Sequence, residues 1–257
     1  MAGNNQYRTP IFARLREHAA QKPYQFHIPG HKQGVGVHPE LAAFLGENLL
    51  NADLVNIAPL DDLHNPRGII REAQELAAEA FGADRTFFSV QGTSTAIMAM
   101  ILSVCGPGEK LLVPRNAHKS VLAGILLSGA VPVFMRPEID EAMGIAHGMP
   151  ASVVRETLRN HPDARGLLVI NPTYFGVASD LETLVELAHE RNLPVLVDEA
   201  HGVHFHFHDG LPPSAMAAGA DMAATSMHKL GGSLVQTSLL HVKGGRVDPS
   251  RVQAAIS

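Results

Sequence analysis

The chain has 257 residues, 46% of them hydrophobic, enough for one large domain or two small ones. Its net charge of -5 and pI near 6.3 give neither nucleic acid nor an anionic membrane an electrostatic reason to bind, which leaves a small polar metabolite as the expected partner. The one cysteine, Cys105, excludes an internal disulfide and reads as a buried structural thiol; the polar start Met1-Ala2-Gly3-Asn4-Asn5-Gln6 and the lack of any bilayer-length apolar run make the cytoplasm the expected compartment.

The first 60 or so residues are rich in Pro, Gly and His with short helical pieces, and read as an arm or connection rather than a second core. Helix-like and strand-like segments alternate from there on. Residues 67–81 carry apolar side chains at helical spacing and end at Gly82, a C-cap signal. Thr86-Phe87-Phe88-Ser89-Val90 predicts a strand, and beyond Gly92 the run from Thr95 to Leu102 predicts a buried helix. Further strands are predicted over 110–113, 131–134, 166–170 and 194–198, with helices near 117–128, 151–160 and 180–191. Short, continuously apolar strands alternating with helices predict an α/β fold: a mainly parallel sheet with helices on both faces, which binds ligands at the carboxyl ends of its strands. A last helix starts with Asp248 as N-cap and Pro249 in its first turn but reaches Ser257 without a stop signal, so the chain reads as truncated.

Four stretches put polar groups where these strands end. Gln91-Gly92-Thr93-Ser94-Thr95 is a small-residue turn into a helix, where free backbone N–H groups and hydroxyls can hold a phosphate; Thr93 or Ser94 as a simple helix cap is the alternative. Asp198 closes the strand 194–198, where a carboxylate can keep a pyridine nitrogen protonated or merely cap a turn. Asn171-Pro172-Thr173-Tyr174-Phe175-Gly176 adds amide and hydroxyl groups, although its Pro and Gly also suit an ordinary turn. In Ser226-Met227-His228-Lys229, the lysine follows an apolar approach and precedes Leu230-Gly231-Gly232, so it is expected to be buried and nucleophilic, unless it snorkels to solvent. Ser226 offers another hydroxyl to a phosphate, and His228 a group for proton transfer. His118 follows the strand at 110–113 and can stack on an aromatic cofactor or simply begin a helix; Lys119 and Lys32 lack the apolar flanks and glycine pair of Lys229 and rank below it.

At these residues the sequence resembles the Orn/Lys/Arg decarboxylase family, fold type I enzymes dependent on pyridoxal 5'-phosphate. Ser226-Met227-His228-Lys229 with the following Leu230 to Ser238 is similar to the family's Ser-x-His-Lys signature, with Val235 in place of the usual small residue. His27-Ile28-Pro29-Gly30-His31-Lys32-Gln33-Gly34 and Asp61-Asp62-Leu63-His64 resemble two further family segments. The stretch from Gln25 to His31 and the surroundings of Asp198 look most like the bacillus-type arginine decarboxylases of polyamine synthesis. The resemblance implies a seven-stranded type of sheet, an arm over 1–60, a cofactor-binding large domain over 61–257 lacking its C-terminal small domain, and a homodimer or higher homo-oligomer. It also implies that Thr93 and Ser94 meet the phosphate, His118 stacks on the ring, Asp198 pairs with its nitrogen, His201 lies near its oxygen side and Lys229 forms the imine. The implied reaction converts a basic amino acid, arginine foremost, to agmatine and carbon dioxide, with Lys229 or His228 returning a proton to the α-carbon and His118 completing the catalytic set; no metal is expected.

Other readings fit parts of the sequence. Lysine or ornithine can replace arginine, and Asp198-Glu199-Ala200-His201-Gly202 is also similar to pyridoxal-phosphate acyl-CoA transferases. His201, His204, His206 and His208 alternate as they would along a strand, which can place three on one face as metal ligands. Asp198-Glu199-Ala200-His201 spells a helicase box, but no phosphate loop precedes it, so that reading is discarded. An inactive fragment is the non-enzyme alternative.

Overall fold

The computed structural model of the protein describes residues 6–256, and the chain divides into two compact units between Ala77 and Ala78. In the first, α1 (Pro10–Ala20) and α2 (Pro39–Ala52) each start on a proline, whose fixed φ suits a first turn. Few of its side chains are withdrawn from water, among them His18, Leu50, Leu60 and Leu76. Asp61 holds its last segment: the carboxylate accepts the N–H groups of Asp62 at 2.9 Å, Arg67 at 3.0 Å, Gly68 at 2.8 Å and Ile70 at 3.0 Å. Desolvation alone would raise its pKa, but the four N–H donors outweigh that and hold the carboxyl below its ordinary value. Through Gly68 and Ile70 the Asp61 carboxylate caps the start of α3 (Ile69–Phe81), the helix read from the sequence over 67–81.

The second unit begins with β1 (Arg85–Ser89), α4 (Gly92–Val104), β2 (Lys110–Pro114), α5 (Lys119–Ser128) and β3 (Val131–Met135). A small hairpin, β4 (Ile139–Asp140) with β5 (Ile145–Ala146), leads to α6 (Ala151–Asn160), β6 (Ala164–Ile170), α7 (Leu181–His189) and β7 (Val195–Asp198). β8 (Met222–Ser226), the one-turn α8 (Met227–Leu230), β9 (Ser238–Val242) and α9 (Pro249–Ile256) complete it. Seven strands form one sheet in the order β1-β9-β8-β7-β6-β2-β3. The pairs from β8 through β7, β6 and β2 to β3 are parallel, and β9 runs antiparallel between β1 and β8.

Alternation along each strand splits the core into two layers, because successive side chains leave opposite faces. Leu111, Val113, Leu168, Leu196, Met222 and Ala224 pack with α4, α5 and α9 on one face. Leu112, Leu167, Val169, Val195, Val197 and Ala223 pack with α6 and α7 on the other. Burial on both faces explains why the strands read as continuous apolar runs, and each fully buried Leu or Val contributes about 1.5–3 kcal/mol. Helix α4 is apolar almost all round because it lies in the deepest position, under both the sheet and α5. Where those helices meet, Gly124 is needed for the approach, since a Cβ there would stand 2.8 Å from Ile101 Cδ1.

The predicted elements all form, with ends moved by a few residues, but the short hairpin β4–β5 and two strands of the seven-stranded sheet escaped the sequence reading. Residues 222–224, taken there only as an apolar approach, belong to β8, and β9 had no assignment. The two alanines of β8 have weak strand propensity, and burial at the sheet's centre overrides it. Cys105 is buried, and burial pushes its thiol up to about 11, in keeping with a structural thiol. Asp248 accepts the Ser250 N–H at 2.8 Å at the start of α9, as the capping signal predicts. Among the described residues no helix is long and apolar enough to cross a membrane.

Candidate active site

The strands running in one direction bring their carboxyl ends to one edge of the sheet, and a cavity of ≈ 430 Å³ opens there. Thr93 and Ser94 reach it from the first turn of α4, and His118 from the start of α5. Asp198 closes β7, His201 follows it in the next turn, and Ser226, His228 and Lys229 come from the end of β8 and from α8. All the site residues expected from the sequence line this one cavity. Lys119 does not line it, and Lys32 donates to the His27 carbonyl within the first unit.

The phosphate-binding turn is built on Gly92, whose φ of 72° lies in the left-handed region, where a side chain costs energy. Its N–H donates to the Gln236 carbonyl at 2.8 Å. Gln91 is the N-cap and makes no side-chain capping bond, so neither Thr93 nor Ser94 is the cap considered for that turn. The first-turn N–H groups of α4 have no intrahelical acceptor and carry the positive end of the helix dipole. Behind them lies a buried line of hydroxyls. Ser238 Oγ donates to the Thr225 carbonyl at 2.8 Å, and Thr93 Oγ1 donates to Ser238 Oγ at 3.1 Å. With both of those protons committed, the Thr93–Ser226 hydroxyl contact has Ser226 as donor.

Asp198 is buried at 5% exposure, and the Ala200 N–H, at 3.2 Å, is the one hydrogen bond its carboxylate accepts among the described residues. Burial raises its pKa, while that N–H and the charges of Lys229 and His118 pull the other way. A buried carboxylate with an open oxygen at a cavity wall is the natural complement of a cationic ring nitrogen. His118 Nδ1 accepts the Ser120 N–H at 3.2 Å, which leaves Nε2 to carry the ring proton. His228 is oriented in the opposite sense: Nδ1–H donates to the Thr237 carbonyl at 2.9 Å, and Nε2 stays available. Lys229 Nζ lies 3.0 Å from His201 Nε2, and Tyr174 sets its ring edgewise to that imidazole at 5.5 Å.

Two sequence expectations are corrected here. Lys229 is exposed rather than buried, because α8 is a single turn at the sheet edge and the loop after it stays in solvent. The four histidines do not alternate along a strand. Turns at 202, 205 and 207 and a 3-10 helix over Phe205–Phe207 send them apart: His206 bonds Ser214 Oγ at 3.0 Å, while His208 Nδ1 accepts the Gly210 N–H at 3.0 Å. Among the described residues no group of three or more His, Cys, Asp or Glu side chains is placed to hold a metal ion.

Sequence reasoning gave no role to Glu199, Ser238 or Asn116. Asn116 lines the cavity, and Ser238 terminates the hydroxyl line. Glu199, 1% exposed, accepts the Ala215 N–H at 2.7 Å, and burial pushes its carboxyl up to about 8. The one usable signal was position, since each lies at or next to a strand end on the ligand-binding edge.

The profile of the Orn/Lys/Arg decarboxylase major domain matches residues 9–257. The chain belongs to the Orn/Lys/Arg decarboxylase family. It is 65% identical over 253 residues to an arginine decarboxylase of Bacillus anthracis, covering 98% of this chain and 51% of that protein. It is 62% identical over 253 residues to an arginine decarboxylase of Bacillus subtilis, covering 98% of this chain and 52% of that one. The solved structure of lysine decarboxylase A from Pseudomonas aeruginosa superposes with a TM-score of 0.85 at 33% identity, covering 96% of this chain and 37% of that one. The chain thus spans about half the length of the curated relatives it matches. As an Orn/Lys/Arg decarboxylase domain it has the fold type I architecture, and pyridoxal phosphate is the cofactor of that family. The cavity fits that cofactor: hydroxyls and free N–H groups at the α4 end suit a phosphate, the open oxygen of Asp198 suits a protonated pyridine, and Lys229 supplies an amine.

Proposed function

We propose that this chain is the cofactor-binding domain of a pyridoxal-phosphate decarboxylase that converts arginine to agmatine and carbon dioxide. The observation that carries the reading is that Lys229 and Asp198 line one cavity with the Gly92 turn. The 62–65% identity to arginine decarboxylases supports arginine over lysine and ornithine. Bound here, the cofactor supplies an electron sink for the pair left behind when the α-carboxylate departs.

The chain's own groups do the rest. First-turn amides of α4 with Thr93, Ser94 and Ser226 hold the phosphate, while Asp198 keeps a proton on the ring nitrogen and His118 packs against the ring. His201, on the same cavity, would lie near the ring's oxygen side. Lys229 holds the cofactor through Nζ, and Lys229 or His228 returns a proton to the α-carbon of the product; the carbonyl of Thr237 fixes the His228 ring for that task. Resemblance to the bacillus-type enzymes supports three finer parts of the same proposal: a role in polyamine synthesis, a cytoplasmic location, and a homodimer or higher homo-oligomer. Borohydride reduction followed by peptide mass mapping tests the lysine. A pyridoxyl mass should appear on Lys229 and vanish in Lys229→Ala; the same label on another lysine contradicts the assignment.

A further inference from the structure

We infer that His201 is the acid–base group through which Lys229 captures its cofactor. The inference rests on the reading of Lys229 as the lysine that holds pyridoxal phosphate. Lys229 Nζ and His201 Nε2 lie 3.0 Å apart across 28 residues of sequence. An ammonium has donors only, so Nζ donates, Nε2 accepts and the ring proton sits on Nδ1. Asp198 feels the Lys229 charge, yet the hydrogen-bond partner of Nζ is the imidazole and not that carboxylate. The contact also answers the exposure of Lys229: with no burial to free the amine of its proton, a base within hydrogen-bond reach supplies that function locally.

The surroundings suit such a base. Tyr174, from the loop after β6, meets the imidazole edgewise at 86°. The other titratable groups on the same cavity are Asp198 from β7, His118 from the start of α5 and His228 from α8. Burial, and then the charge of Lys229, hold the His201 imidazole below its ordinary value, so it remains a proton acceptor at neutral pH.

In the capture step Nε2 takes a proton from Nζ, and the freed lone pair attacks the aldehyde carbon. The carbonyl π pair moves onto oxygen, which takes a second proton from the attacking nitrogen. The imidazolium then gives its proton to that hydroxyl, which leaves as water as the nitrogen lone pair closes a C=N bond. Ammonium and aldehyde become a protonated C=N linkage and one water, histidine is regenerated, and nothing is oxidised or reduced.

Stopped-flow mixing of the cofactor-free full chain with pyridoxal phosphate, followed by visible absorbance across neutral pH, tests this. In His201→Ala and in His201→Gln, which keeps an acceptor but has no base, capture should slow roughly 100-fold. It should also rise with pH, because solvent base then has to take over the proton transfer that His201 performs, and added imidazole should restore much of the rate in His201→Ala. Parental rates in both variants overturn the inference, as does a slow His201→Ala that melts like the parent and that imidazole does not rescue. If His201→Ala melts below the parent, the rate and pH slope of His201→Gln decide. A borohydride label that stays in Lys229→Ala refutes the lysine reading itself; a label on Lys229 with no His201 effect refutes the base alone.

Discussion

Asp198 and Glu199 are neighbours in sequence with different partners. Asp198 turns an open oxygen to the cavity, and Glu199 ties the turn after β7 to the backbone at Ala215. Replacing Asp198 with Ala removes the group that stabilises a cationic ring, so turnover should fall on the order of 100-fold while the cofactor can still be trapped on Lys229; unchanged turnover would sink the role. Glu199 predicts a pH effect on stability. Its carboxyl, ordinarily at 4.5, is pushed up to about 8 by burial, so its contribution is complete below pH 4.5 and is lost as pH rises through the folded value. Glu199→Gln does not titrate, so between those limits unfolding free energies should shift in favour of the variant by about 1.4 kcal/mol per pH unit. A pH-independent difference in denaturant unfolding would contradict this. Asp198 could be read from the sequence because it ends an apolar run at the ligand-binding edge, and Lys229 because it stands in the Ser226-Met227-His228-Lys229 motif before a glycine pair. Glu199 could not, because the N–H it serves belongs to a residue sixteen positions away.

At the scale of elements, β9 joins β1 to β8 through a side chain no pattern predicts. His241 is fully buried, with Nδ1 2.8 Å from Thr86 Oγ1, Nε2 3.2 Å from Thr225 Oγ1 and Phe81 stacked on it at 4.6 Å. Burial depresses it to about 3, so it stays neutral and acts as a polar rivet across three strands. The parallel strands were legible because burial on both faces writes them as Val- and Leu-rich runs. β8 was missed because its Ala-Ala-Thr-Ser stretch has no such composition, and the turns from 202 to 207 were missed because alternating histidines imitate a strand. Packing between α4 and α5 gives a direct test. Gly124→Ala would place a methyl 2.8 Å from Ile101 Cδ1 and 3.3 Å from Met98 Cα, and should cost about 1–3 kcal/mol. A melting temperature equal to the parent's would show that the two helices approach less closely than described.

Across the whole molecule, one edge of one sheet gathers the cavity, and the family match extends over nearly all of the chain. Fold class and cofactor could be inferred from sequence because strands alternate with helices and the motifs fall where those strands end. Burial of the lysine could not, since it depends on how the loop after α8 is covered, and local composition does not record that. Substrate choice belongs to this scale too, because the chain spans about half the length of the arginine decarboxylases it matches. The most direct test is carbon dioxide release from arginine, lysine and ornithine by the cofactor-loaded protein, alongside Lys229→Ala. The account predicts agmatine and carbon dioxide from arginine in preference to the other two, and no release by the variant. Equal or greater release from lysine or ornithine would contradict the proposed substrate, and undiminished release by Lys229→Ala would contradict the site.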